Sequence, residues 1–225
     1  MDKEQAILSS WQSNATPWTR AIRERQIASR VQVTDRAVVE AVLVCNPRTV
    51  LDIGCGEGWL VRALTGQGID SRGIDAVPAL IDQARQAGGG RFDVMDYRTV
   101  AAGGLKSTFD TVVINFALLG GDSVAALIAA IPKLLNPGGT LVIQTLHPLI
   151  ACGDQPYSDG WREGSWVGFD DSFTDPAPWY FRTLGSWLAL LTESGLGKIG
   201  MQEPLHPDSG KPVSVIFTGY RCDQP

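Results

Sequence analysis

The chain has 225 residues, 44% of them hydrophobic and 19% charged, with a formal net charge of -5. This length supports one sizeable core rather than two, and no segment is biased enough to read as a disordered tail. A mildly acidic chain gathers no phosphate backbone, so nucleic acid is not expected as a partner.

Four cysteines, Cys45, Cys55, Cys152 and Cys222, lie far apart, and there are two histidines in all. That pattern disfavours zinc, so no metal is expected, and it suits the reduced thiols of a cytoplasmic protein. The opening MDKEQAILSSWQSN lacks the apolar run of a signal peptide, and nothing reaches the roughly 20 apolar residues of a membrane span. No membrane partner is expected.

In chain order, Thr16 followed by Pro17 predicts a helix start after a polar opening. A second start falls at Thr34, with Val38, Val39, Val42 and Leu43 as the apolar stripe and Pro47 as the stop. Residues 49–53 are a β-branched run, the first strand. Alternation follows: helix 58–65, strand 70–75, helix from Pro78 to Gly88, strand 92–94, strand 109–115, helix 122–135 opened by Asp122, and strand 140–146, with Pro137 to Gly139 as the turn before it. Alternating strands and helices with near-continuous apolar strands predict an α/β fold, a Rossmann-like doubly wound sheet of seven strands, mostly parallel. Residues 199–203 and 213–221 are too close for a crossover helix and predict a C-terminal antiparallel hairpin at one edge. Residues 146–183 carry no periodicity, as expected of a functional lid or a disordered segment.

The segment VLDIGCGEGWL places Gly54, Gly56 and Gly58 between the first strand and the next helix, at the sheet edge where such folds bind ligands. The spacing is GxGxG, whereas a dinucleotide loop is GxGxxG, whose third glycine falls at Trp59. Glu57 and Asp52 beside this loop repel a pyrophosphate and suit a cationic ligand. S-adenosylmethionine, with its sulfonium and amino groups, is such a ligand.

Four ordered pieces, LDIGCGEG, GID, FDVMDY and FDTVVINFALL followed by LLNPGGTLVIQTLHP, resemble class I S-adenosylmethionine-dependent methyltransferases. The small-molecule group with the ubiquinone and biotin pathway enzymes is the nearest likeness. The resemblance covers about Val50 to Pro148 well and the C-terminal region more loosely. It implies that Asp75, with Ala76 beside it, takes the ribose hydroxyls and that Asp96 and Tyr97 meet the adenine. Asn115 and Phe116 then offer carbonyls to the methionine amino group, while Asp52 holds the loop formed by Gly54, Cys55, Gly56 and Gly58. The plainer alternatives are that Asp75 and Asp96 only cap helices, that Trp59 only packs, and that Cys55 is a small filler.

Residues 152–183 are dense in aromatic rings, including Trp166, Trp179 and Tyr180, as a cover over an apolar pocket or as anchors for a long loop. Trp11 and Trp18 either wall the same pocket or simply pack. His147, where the fifth strand meets the lid, is the candidate general base for an acceptor hydroxyl or amine; the alternative is a turn residue bonded to backbone. Arg30 reads as a solvated arginine, with a cofactor carboxylate or an acidic acceptor as the other uses. His206 is expected to be exposed.

The expected organisation is a single domain over 1–225. Helices in 1–47 lie over the site, 48–147 form the cofactor core, 148–183 the lid, and 184–225 the last helix and hairpin. The expected function is methyl transfer from S-adenosylmethionine to a small aromatic or apolar O, N or C acceptor, by a monomer or homodimer. The alternatives are a non-catalytic S-adenosylmethionine-binding protein or a nicotinamide-dependent oxidoreductase.

Overall fold

The computed structural model describes residues 2–222. Its N-terminal part is helical: α1 (Lys3–Ser13) and α2 (Ala15–Arg23), then a π turn at Arg30–Thr34 that runs directly into α3 (Asp35–Val44). The alternating core follows as β1 (Thr49–Ile53), α4 (Trp59–Thr65), β2 (Asp70–Asp75), α5 (Pro78–Ala87), β3 (Arg91–Val94), α6 (Tyr97–Ala101), β4 (Phe109–Asn115), α7 (Asp122–Ala130) and β5 (Leu135–Thr145). Beyond it lie α8 (Pro148–Ala151), the short strands β6 (Gly160–Arg162) and β7 (Trp179–Phe181), α9 (Leu184–Glu193), β8 (Leu196–Gln202) and β9 (Val215–Arg221).

One seven-stranded sheet runs in the order β3-β2-β1-β4-β5-β9-β8. The first five strands are parallel, and β9 pairs antiparallel with both β5 and β8. The order reverses between β1 and β4, which opens a crevice at their carboxyl ends.

Alternation along the strands sorts side chains between two helical layers. Leu51, Ile53, Val112, Ile114, Leu141, Ile143, Val215 and Phe217 face one layer with Val124, Leu127, Ile128, Trp187 and Leu191 of α7 and α9. Val50, Val113, Val142 and Ile216 face the other, with Val38, Val42, Leu60 and Leu64 of α3 and α4. Each such buried side chain stabilises the fold by about 1.5–3 kcal/mol before conformational entropy is charged against it.

Several local expectations give way. The opening segment is helix α1, capped at Asp2, whose carboxylate accepts the Glu4 N–H at 3.4 Å. Thr16 lies inside the first turn of α2 rather than at its cap. Thr34 continues a helical path from Arg30, so its hydroxyl caps nothing. Helix α7 ends at Ala130 and a 3-10 turn carries Ile131–Leu134, because Pro132 has no N–H to continue the α ladder.

Strand β5 begins at Leu135, ahead of Pro137, because residues 136–139 bulge out between the Phe109–Leu135 and Thr111–Thr140 pairs. Asn136 Nδ2 secures that bulge by donating to Asp110 Oδ1 at 2.8 Å. Asp122 is not the cap of α7 either, since the cap position is Gly121. The carboxylate that serves this end is Glu4 of α1, whose Oε1 accepts the Gly121 N–H at 2.9 Å and whose Oε2 accepts the Ser123 hydroxyl at 2.7 Å. Residues 148–183 contain one element of regular structure beyond α8, the β6–β7 hairpin. Among the described residues no helix is long and apolar enough to cross a membrane.

Candidate functional site at the carboxyl rim of the sheet

The turn from β1 into α4 sits at the order reversal. Gly54 and Gly58 have φ of +75° and +83°, and a Cβ on either would lie 2.4 Å from Ala117 Cβ or 2.5 Å from Phe92 Cε1. No L side chain fits there. Gly56 differs, because the nearest atom to a Cβ built on it is Trp18 Nε1, 3.7 Å away in the cleft. Gly56 is thus the point at which bare backbone faces open space.

The loop is tied down from β2. The N–H groups of Gly54 and Cys55 donate to the Ile74 carbonyl at 2.8 and 3.0 Å, and the Gly56 N–H donates to Asp75 Oδ2 at 2.9 Å. Asp75 Oδ1 accepts the Val77 N–H at 2.9 Å at the start of α5. Asp75 is therefore both clamp and cap, and it lines the cleft as well. Sheltering pushes its carboxyl above the ordinary value, opposed by those backbone N–H groups.

A cavity of about 190 Å³ opens here, lined among others by Gly54, Cys55, Gly56, Asp75, Ala76, Asp96, Tyr97, Asn115 and Phe116. Asp96 has a double placement: it borders the cleft, and its Oδ1 caps α6 by accepting the Thr99 N–H at 2.8 Å. Its bonds to Thr99 hold it below the usual carboxylate range. The Tyr97 hydroxyl donates to the Ala117 carbonyl at 2.8 Å and fixes the β4–α7 loop. Phe116 sits in that loop at φ +52°, a strained conformation for a residue with a side chain, of the kind that clusters at functional sites.

Four residues take other places than the sequence suggests. Gly58 does not line the cleft; it packs on Phe92 beneath it. Asp52 does not hold the loop, which hangs from Ile74 and Asp75 instead; it is buried, Oδ1 has no partner, and burial with the nearby Asp75 charge pushes its pKa up to about 8. Glu57 is not free to greet a cation. Its side chain is 1% exposed and is held by Arg62 Nη2 at 2.6 Å and Arg23 Nε at 3.2 Å, so its charge is already answered. Arg30 is not solvated: it is 9% exposed, with its Nε on Asp35 Oδ1 at 2.9 Å and its guanidinium 4.8 Å from the centre of the Trp59 ring.

A second cavity of about 320 Å³ adjoins the first, lined in large part by residues of 148–187. Trp166, Trp179, Tyr180, Phe169 and Phe181 line it, as do Trp11 and Trp18 of the N-terminal helices. The two cavities share Trp11, Trp18, Arg30, Phe116 and Leu119 as a common wall. The 148–183 segment and the N-terminal helices are laced together there. Asn14 Nδ2 donates to the Thr174 carbonyl at 2.7 Å and Asn14 Oδ1 accepts the Thr174 N–H at 2.9 Å, while Trp11 meets Trp166 edge-on with centroids 5.9 Å apart.

His147 stands outside both cavities. Its side chain is fully buried, and Nε2 pairs with Glu203 Oε1 at 2.7 Å across to the loop after β8. Nε2 is taken up by that tie and Nδ1 is buried without a hydrogen-bond partner, so the ring neither lines a cavity as a base would nor bonds backbone. His206 is partly buried rather than exposed, its Nδ1 accepting the Asp208 N–H at 3.3 Å. Cys55 is a packing residue against Gly73, where a Cβ would lie 2.7 Å from its Sγ.

Residues that sequence reasoning passed over include Glu4, Ile7 and Leu8 of α1 and Leu119 after β4. Ile7 and Trp11, one turn apart, were the available signal for α1. Gln144 is another: its Nε2 donates to the Thr34 carbonyl at 2.9 Å and Asn115 Oδ1 at 2.8 Å, joining the two cavities from behind, and one buried amide in β5 gives no pattern. Among the described residues no group of three or more His, Cys, Asp or Glu is placed to hold a metal.

A family model described as a methyltransferase domain matches residues 22–197, and the chain belongs to that family. A ubiquinone biosynthesis O-methyltransferase of Xylella fastidiosa is 38% identical over 106 residues, which is 45% of this chain and 43% of that protein. The chain thus spans less than half the length of such curated relatives. Among solved structures, an S-adenosylmethionine-dependent methyltransferase from Mesorhizobium loti superposes with a TM-score of 0.62 at 24% identity, covering 81% of this chain and 96% of that one. The 1,6-didemethyltoxoflavin-N1-methyltransferase of Burkholderia thailandensis, solved with 1,6-didemethyltoxoflavin and S-adenosylhomocysteine bound, gives 0.64 at 18% identity, covering 94% and 88%. At these identities the two structures establish a shared fold.

Proposed function

We propose that the protein transfers a methyl group from S-adenosylmethionine to a small, largely apolar or aromatic molecule. The observation that carries this reading is the pair of adjoining cavities with one common wall. Transfer by direct displacement needs two molecules held in line and little else, since orientation alone supplies roughly 7–11 kcal/mol in favourable cases.

The rim cleft suits the donor. Asp75 presents a carboxylate at the end of β2, Asp96 another after β3, Gly56 offers open backbone, and Asn115 and Phe116 bring the end of β4 to the same space. Ala76 and Tyr97 complete the cradle. When bound, the donor supplies a methyl group already activated on a positively charged sulfur. The aromatic cavity suits the acceptor, with Trp11, Trp18, Trp166, Trp179 and Tyr180 as its walls.

The relative named for ubiquinone biosynthesis and the toxoflavin enzyme support the choice of a small acceptor, O- or N-methylated. We read the chain as one working unit in the cytoplasm, a monomer or homodimer, with the N-terminal helices and 148–183 as covers and no nucleic-acid partner. The test is calorimetry with S-adenosylmethionine and S-adenosylhomocysteine, together with transfer of labelled methyl groups into the small-molecule fraction of a cell extract. Wild-type protein binds both nucleosides at micromolar levels, and Asp75→Ala, which loses a charged acceptor, weakens them by about tenfold or more. Folded wild-type protein that binds neither overturns the reading.

A further inference from the structure

We propose that Arg30 and Thr34 recognise an anionic oxygen on the acceptor, which is therefore a planar apolar molecule carrying an ionised hydroxyl or a carboxylate. The inference rests on the two-cavity reading above and assigns its second site. Both residues lie on the π turn before α3, four positions apart and so on one face.

Arg30 is 9% exposed and Thr34 1%, and both line the aromatic cavity. Arg30 Nη2 and Thr34 Oγ1 are both buried without a hydrogen-bond partner. Native structures rarely leave two neighbouring polar groups so, and a ligand that completes them is the physical remedy. The guanidinium is fixed beforehand: Nε donates to Asp35 at 2.9 Å and its central carbon Cζ lies 4.8 and 5.9 Å from the Trp59 and Trp18 ring centres.

Charge favours an anion, although Asp35, outside the lining, already answers part of the Arg30 charge through Nε. The lining of the aromatic cavity carries Arg30 and Arg182 and, among the described residues, no Asp, Glu or His. Arg182 gives its two amino groups to the carbonyls of Gly120 and Gly121 at 2.9 and 2.7 Å, which leaves its positive charge in the cavity wall. With no side chain there to take a proton, an acceptor that binds already ionised needs none. The rival occupant of Nη2 is the donor's own carboxylate, because Arg30 borders the rim cleft as well. Thr34 does not border it and lines the aromatic cavity alone.

The experiment compares 1-naphthoate with 1-naphthamide, and follows the ionisation of 1-naphthol by its absorption, on protein saturated with S-adenosylhomocysteine. Naphthoate binding about tenfold or more above naphthamide, or naphthol bound as its anion, supports the site; the former points to a carboxylate and the latter to a hydroxyl. Arg30→Gln abolishes the preference and Thr34→Val, which keeps the shape of the side chain, reduces it, and in the Thr34→Val variant S-adenosylhomocysteine affinity holds within about threefold.

Equal binding of naphthoate and naphthamide with neutral naphthol overturns the proposal. So does an Arg30→Gln variant that loses S-adenosylhomocysteine and keeps the anion preference, since Nη2 then serves the donor. Wild-type protein indifferent to S-adenosylhomocysteine refutes the methyltransferase reading instead, and the same naphthoate comparison without it still decides the anion site.

Discussion

Replacing Glu57 by Gln separates two roles for the acid in the glycine loop. If its charge draws a cationic ligand, the variant folds normally and loses affinity; if the charge answers Arg62 and Arg23, stability falls and affinity stays. The structure favours the second. Glu57 is 1% exposed, and the two arginines are 25% and 41% exposed.

Breaking a fully buried ion pair costs about 3–5 kcal/mol, and the solvent reaching both arginines brings the expected loss to about 2–3 kcal/mol. For a domain of this size that lowers the melting temperature by about 4–12 °C. The bond from Arg62 Nη1 to the Glu57 carbonyl, at 2.6 Å, survives the substitution and keeps the loop's course. Melting curves and calorimetry with S-adenosylhomocysteine read the two quantities on one preparation. An unchanged melting temperature with an affinity loss of about tenfold refutes the reasoning.

Two further outcomes follow from buried groups. Asp52, pushed up to about 8, keeps its proton in the folded state while the unfolded chain releases it near its ordinary value. Its contribution is thus fully present below about pH 4 and is lost as the pH rises toward about 8, by on the order of 1 kcal/mol per pH unit. The difference in melting temperature between Asp52→Asn and wild type therefore grows in favour of the variant across that window, and a difference independent of pH contradicts the assignment. His147→Gln, since the ring faces Glu203 rather than either cavity, leaves the rate and pH profile of label transfer to extract small molecules within about threefold; a loss of about a hundredfold returns it to the role of general base.

The parallel core was legible because its signals are local. β-branched runs such as Thr49 to Ile53 and Phe109 to Asn115 state strands by themselves, and the loop glycines mark places where a Cβ has no room. The aromatic lining was legible as a density of rings. What stayed hidden depends on distant partners. Nothing near Glu57 in the chain announces Arg23, nothing near His147 announces Glu203, and the cap of α7 comes from Glu4, more than a hundred residues earlier. Arg30 misled for the same reason, because its burial is created by Trp18 and Trp59 from two other elements.

The common wall has a consequence for divergence among related enzymes. Trp11, Trp18, Arg30, Phe116 and Leu119 touch both spaces, so a substitution there that reshapes one disturbs the other. Phe169, Ala177, Trp179 and Phe181 border the lid side alone. On the function proposed above, new acceptors would be accommodated most readily by drift at these outer positions, while the inner five would answer to two tenants at once.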